Sequence, residues 1–229
     1  MANNPNRWCF AWFASKPLGA GLTKAALQKD SKWKSGDAIR VAFMEGDDKL
    51  QQRVRDIATR WIAPGMANLQ LSFTDSANSH VRVAFRAANG SWSTVGTTCK
   101  QVAPDEPTMN FGWIDADSAE DEVRRVVLHE FGHALGLIHE HQNPVAAIKW
   151  NRDAVMRELS GPPNNWSAEQ IKFNVLDPAS PDDVNATTLD PTSIMMYPIP
   201  ASWTEDGFST GLNSDLSNVD RQFIRKQYT

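Results

Sequence analysis

The stretch His129-Glu130-Phe131-Gly132-His133-Ala134-Leu135-Gly136-Leu137-Ile138-His139 narrows what this chain can fold into more than any other. Its spacing is H-E-x-x-H-x-x-G-x-x-H. Residues four apart share one face of an α-helix, so His129 and His133 can offer imidazole nitrogens to a single metal ion. Glu130 lies beside the first histidine without being a ligand, where a general base for a metal-activated water belongs. Gly136 permits the left-handed conformation that ends a helix, and the turn brings His139 back as a third ligand. Three histidines with one position left open make a catalytic zinc site, since a structural site closes all four. Such a site also needs a floor, which must come from elsewhere in the chain.

The 229 residues can bury a full core, as one domain or two closely packed subdomains. A formal net charge of -4 gives no electrostatic reason to expect nucleic acid or an anionic membrane as a partner. No apolar run approaches the ~18–20 residues of a membrane-spanning helix. The apolar patch from Trp8 to Ala14 is too short for a signal-peptide core and is cut off at Lys16. Either the chain is not exported by that route or a leader has been removed. Cys9 and Cys99 are either two free thiols or one bridge, whose long loop would contribute on the order of 4 kcal/mol. Most of the nine tryptophans are expected in the core, with some lining a cleft.

Periodicity predicts mixed α and β structure. Ile39–Phe43, Leu69–Phe73 and Val81–Phe85 read as strands, and Lys49–Ile62 reads as a helix capped near Asp47 and ended by Pro64-Gly65. His80, alone at the head of a strand, reads as structural. Asn89–Gly96 reads as a glycine-bounded loop. Thr108–Ile114 reads as a strand, with Gly112 placing it at a sheet edge. The zinc motif closes a helix from about Ala119 to Leu135, with Ser118 as its N-cap and Glu120, Asp121 and Glu122 in its first turn. Short helices are expected at Leu22–Leu27, Asp153–Leu159 and Ser167–Phe173, and a loop over Asp177–Thr192. A last helix, capped around Asp215–Ser217, presents Val219, Phe223, Ile224 and Tyr228 as its apolar face.

The second informative segment is Ser193-Ile194-Met195-Met196-Tyr197-Pro198. The zinc motif followed downstream by a Met-containing turn is the metzincin signature. Within the metzincins, Glu140 directly after the third histidine and Ser193-Ile194-Met195-x-Tyr197 resemble the astacin family. The resemblance implies an α+β metzincin catalytic domain. Its twisted mixed sheet and two long helices form an upper subdomain to about residue 139. An irregular lower subdomain, 140–229, ends in a helix, and residues 1–35 form an N-terminal extension. It further implies that Met195 is an apolar base beneath the metal and that Tyr197 is a switchable fourth ligand that can hydrogen-bond the oxyanion. Gly90–Gly96 is similar to the family's Gly-Cys-Trp-Ser-x-x-Gly loop with Ser91 in place of Cys, and Met109–Trp113 would be the edge strand that pairs with substrate.

The chain also departs from that pattern. The family's two disulfides cannot form from two cysteines. The cleaved family N-terminus is buried near the Glu that here is Glu140, so with some thirty residues preceding, Glu140 is expected to find another partner, such as an arginine. His141, just outside the motif, is expected beside the ligands or facing solvent. Cys9 is a candidate switch, its thiolate taking the open zinc position.

The expected function is a zinc-dependent endopeptidase. Glu130 is the general base, His129, His133 and His139 are ligands, and Tyr197 stabilises the oxyanion. The partner is a peptide or protein substrate, with no nucleic acid or membrane, and the chain is expected to be a monomer. Family resemblance implies an extracellular location, with a cytoplasmic one as the alternative. Readings from other classes are a zinc amidase on cell-wall or other non-protein substrates and a catalytically silent zinc-binding module.

Overall fold

Ile39, Val41, Leu50, Val54, Ile57 and Trp61 are all buried, and they join a strand to one stripe of the helix that follows it. The computed structural model describes residues 9–12, 29–76, 78–146, 148–162, 164–183, 185 and 188–229. The helix expected at Leu22–Leu27 lies outside them. Strand β1 is Cys9–Trp12, β2 is Ala38–Phe43, and helix α1 is Asp48–Ala58. Asp47 caps α1, its carboxylate accepting from the amides of Lys49 and Leu50. β3 (Gln70–Phe73), β4 (Val81–Ala84), β5 (Ser91–Thr94) and β6 (Met109–Asn110) complete a six-stranded mixed sheet in the order β1-β5-β6-β4-β2-β3. β6, β4, β2 and β3 run parallel, while β5 and β1 run against them.

Two expectations about this sheet need correction. Ser91–Thr94 is a strand rather than the loop its flanking glycines predict. Met109–Asn110 is not at an edge, because β5 holds one side of it and β4 the other. It therefore has no free side on which to add a peptide. The glycine that suggests an edge has another cause: a Cβ at Gly112 would collide with the backbone of Gly90. Close approach of two backbones, the other common reason for a strand glycine, is the operative one here.

Helix α2 (Glu120–Ala134) carries the zinc motif and is buried along most of its length. Ser118 does not cap it. Its hydroxyl instead bonds Asp115, closing a turn one step earlier, and the N-cap is Ala119 with no side-chain bond. Side chains from distant parts of the chain fix α2 in place. The indole of Trp61 donates to Leu128 O at 3.0 Å, that of Trp33 to Ala134 O at 2.9 Å, and the phenol of Tyr228 to Leu135 O at 2.6 Å. The last two satisfy carbonyls that a helix end leaves without an internal partner.

Beyond the motif the chain forms α3 (Arg152–Ser160), α4 (Ala168–Ile171) running into a π-helical turn at Lys172–Leu176, and α5 (Asn218–Gln227). Ser167 and Ser217 each head a capping box, with Gln170 and Asp220. A second apolar cluster, including Val155, Leu159, Ile171, Trp203 and Tyr197, fills this half. Val219 does not belong to the inner face of α5, as it is 38% exposed. Ile224 and Tyr228 do, and Asp220 shares that face with them.

Candidate active site

α2 places His129 and His133 one turn apart, with ring centroids 4.8 Å from each other. Gly136, at φ 95°, then turns the chain, and the amides of Gly136 and Leu137 bond back to His133 O and Gly132 O. The turn delivers His139, whose ring centroid lies 4.7 Å from that of His133. One nitrogen from each histidine lies within 4.8 Å of the other two.

Each ring is held from behind. His129 Nδ1 donates to Ile194 O and His133 Nδ1 to Leu137 O, both at 2.8 Å, and His139 hydrogen-bonds the Gln142 side chain. Fixing Nδ1 as the donor leaves Nε2 as the free base on His129 and His133. His129 Nε2 is buried with no hydrogen-bond partner among the described residues, and the Nε2 atoms of His133 and His139 face each other at 3.2 Å. Buried ring nitrogens converging in this way are what a cation satisfies. Burial holds all three imidazoles in the neutral, ligating form: His133 is lowered to about 4, and His129 and His139 lie well below their ordinary value. The residues present therefore fit a zinc ion.

The segment expected as the floor follows residue 190. Met195 is buried, with its sulfur where a Cβ on Gly132 would have to be, so the glycine of the motif leaves room for it beneath the helix. Met195 O accepts from the amide of Glu140, joining this segment to the residue after His139. Tyr197 is 3% exposed, its ring 4.2 Å from that of His139 and 6.5 Å from that of His129. Thr210 braces it, donating to Tyr197 O at 2.6 Å. Glu130 is fully buried on α2.

This arrangement matches one family over nearly the whole chain. The model of the astacin peptidase family matches residues 26–229. The chain belongs to the astacin family. It is a zinc-dependent endopeptidase of that family, and its substrates are peptides or proteins. Among solved structures, one of myroilysin is 38% identical, with a TM-score of 0.85 over 88% of this chain and 97% of that one. A second myroilysin structure is 36% identical over 92% of each chain, with a TM-score of 0.67. High choriolytic enzyme 1, a hatching enzyme zinc-protease from the medaka fish Oryzias latipes, shares the fold at 15% identity. Its TM-score is 0.58 over 90% of this chain and 98% of that one. No curated protein matches the chain.

Some neighbouring residues differ from expectation. No arginine meets Glu140 among the described residues. Its Oε1 accepts from the amide of Asp190 at 3.0 Å and from Asn143 Nδ2 at 3.3 Å. Burial, reinforced by Asp220 and Asp190, pushes its carboxyl up to about 7. His141 takes the first of its two expected placements, beside the other histidines, its ring stacked on that of His139 with centroids 5.3 Å apart. It is 3% exposed, bonds Asn174 O through Nε2 at 2.9 Å, and stacks on Tyr197 with centroids 4.4 Å apart. Cys99 is a free, buried thiol raised to about 11 by desolvation, so it is not bridged to Cys9. His80 is structural, its Nδ1 accepting from the amide of Arg40. No helix among the described residues is long and apolar enough to cross a membrane.

Proposed function

We propose that this chain cleaves internal peptide bonds with Glu130 as general base, His129, His133 and His139 as zinc ligands, Met195 as the apolar floor and Tyr197 as a switchable ligand. The observation that carries this reading is the convergence of three neutral imidazoles, each oriented from behind, over a buried methionine and beside a tyrosine. When bound, zinc supplies a Lewis acid that acidifies water and polarises the scissile carbonyl. Glu130 accepts the proton of the attacking water and returns it to the leaving amine. The Tyr197 phenol donates a hydrogen bond to the oxygen that gains charge, and its stacking on His141 limits its swing.

The proposed domain division is an extension over 1–35 and a catalytic domain over 36–229, split near residue 139. A second apolar cluster built entirely from residues after 139 supports that split, although Ile194, Met195, Leu216, Ile224 and Tyr228 pack into the first. Within the extension, β1 adds in parallel to β5, with Cys9 in register with Ser91, and both strands lie against the helix carrying the zinc motif. That placement supports a covering role for the extension, and we infer that Cys9 is its residue for closing the metal. The chain works as a secreted monomer on peptide or protein substrates, without nucleic acid or membrane. Secretion rests on family resemblance.

The test is removal and return of the metal. Turnover of denatured protein should vanish in chelator and return with stoichiometric zinc. Activity that survives zinc removal would refute the reading, and activity confined to cell-wall peptide would move the substrate class.

A further inference from the structure

We propose that Ser193 and Asp220 are positioning residues for the ligand His129, linked to it by a continuous relay of hydrogen bonds through one peptide group of the floor segment. The inference rests on the reading of His129 as a zinc ligand.

The relay runs in one direction. His129 Nδ1 donates to Ile194 O at 2.8 Å. That carbonyl shares its peptide unit with the amide of Met195, which donates to Ser193 Oγ at 3.0 Å. The Ser193 hydroxyl in turn donates to Asp220 Oδ1 at 2.7 Å. Every donor points toward the carboxylate, so each bond polarises the next and makes Ile194 O a stronger acceptor. Ligating histidines commonly donate their second N–H to a carbonyl or a carboxylate, which fixes the ring and raises its basicity. Here the carbonyl comes first, and the carboxylate acts through it.

Capping of α5 does not account for this geometry. The capping box requires Asp220 only to accept from the Ser217 amide, which its Oδ2 does at 2.9 Å. The same Oδ2 also takes the amide of Ile194 at 2.9 Å, and Oδ1 is given over to Ser193. Two of the three bonds thus serve the floor segment. Both side chains are buried, Ser193 at 2% and Asp220 at 7% exposure, which is unfavourable for a carboxylate unless its bonds are needed. Of the three histidines, His129 is the one whose Nδ1 bonds directly to a distant part of the chain; His133 Nδ1 bonds Leu137 O, and His139 bonds Gln142, which in turn donates to Phe173 O.

The experiment compares full-length Ser193→Ala, Asp220→Ala and Asp220→Asn with the parent and with Ile224→Val. The last variant loosens the buried face of the same helix without touching the relay. Zinc affinity is read by chelator competition, and ligand geometry by the visible spectrum of the cobalt-substituted protein. Ser193→Ala and Asp220→Ala should weaken zinc ~10–100-fold, the range for lost partners of metal-bound histidines, and should shift the cobalt bands. Asp220→Asn keeps an oxygen for both amides and so the fold, but it turns an NH2 donor toward Ser193 Oγ and should lose zinc affinity as Ser193→Ala does. Ile224→Val should lower Tm and leave affinity and spectrum alone. Zinc bound as tightly by Ser193→Ala as by the parent, with an unchanged cobalt spectrum, would overturn the relay even if Asp220→Ala fails to fold. A parent that binds no zinc would instead overturn the ligand assignment, and the relay with it.

Discussion

Glu140→Gln should make the zinc-free protein more stable at pH 8 and leave it little changed at pH 5. Burial, with Asp220 and Asp190 nearby, raises the Glu140 carboxyl from its ordinary 4.5 to about 7. A raised carboxyl holds its proton more tightly folded than unfolded. Unfolding stability therefore falls as pH rises from about 4.5 to about 7, and the loss is complete above that window. At ~1.4 kcal/mol per pH unit, the rise corresponds to on the order of 3 kcal/mol. Glutamine carries no charge to desolvate, and its Oε1 can keep the bonds from Asp190 N and Asn143 Nδ2. For a chain of this size, that gain is roughly 6–12 °C in Tm. Thermal melts of parent and variant from pH 4.5 to 8.5 test this in metal-free protein, because a cation beside His139 would itself favour the carboxylate. The two curves should meet at low pH and separate through the window. A constant gap across the range, or a variant less stable at pH 8, would refute the argument that the charge of Glu140 is buried at a cost.

Other substitutions probe separate parts of the account. Tyr228→Phe removes the 2.6 Å bond to Leu135 O and should destabilise by about 1–3 kcal/mol in denaturant melts, since it leaves a buried carbonyl without that donor. Tyr197→Phe should retain zinc while kcat falls roughly 10²–10³-fold, the usual loss for one oxyanion donor. An unchanged kcat would remove Tyr197 from the mechanism. Cys9→Ser in the full-length chain should raise peptide turnover at once if the extension closes the metal through that thiol. Turnover equal to the parent would leave β1 without a zinc-blocking role.

What the sequence reveals and what it hides follow from how each element is stabilised. α2 is legible because His129, His133 and its buried stripe obey helical spacing, and because Gly136 marks its end. β5 is not, because Ser91, Ser93 and Thr94 are buried polar residues and give no apolar alternation. Their hydroxyls are satisfied within the sheet, by Gly112 N, Thr94 O and Thr108 O. Gly112 misleads because a close backbone contact and a sheet edge leave the same mark in one strand's sequence. His141 has no spacing rule to single it out. Only the folded turn shows that it stacks on Tyr197. The partners of Glu140 are likewise hidden, since one is a backbone amide fifty residues away.

The most direct measurement pairs zinc content with turnover in Glu130→Ala. Glu130 is fully buried on the helix that presents His129 and His133, yet it is not part of the cluster of three histidines that could hold a metal ion. If it is the general base, the variant binds one zinc per chain as the parent does, and hydrolysis of denatured protein falls by ~10²–10⁴-fold. Zinc-loaded Glu130→Ala that still hydrolyses protein at the parent's rate would contradict the account.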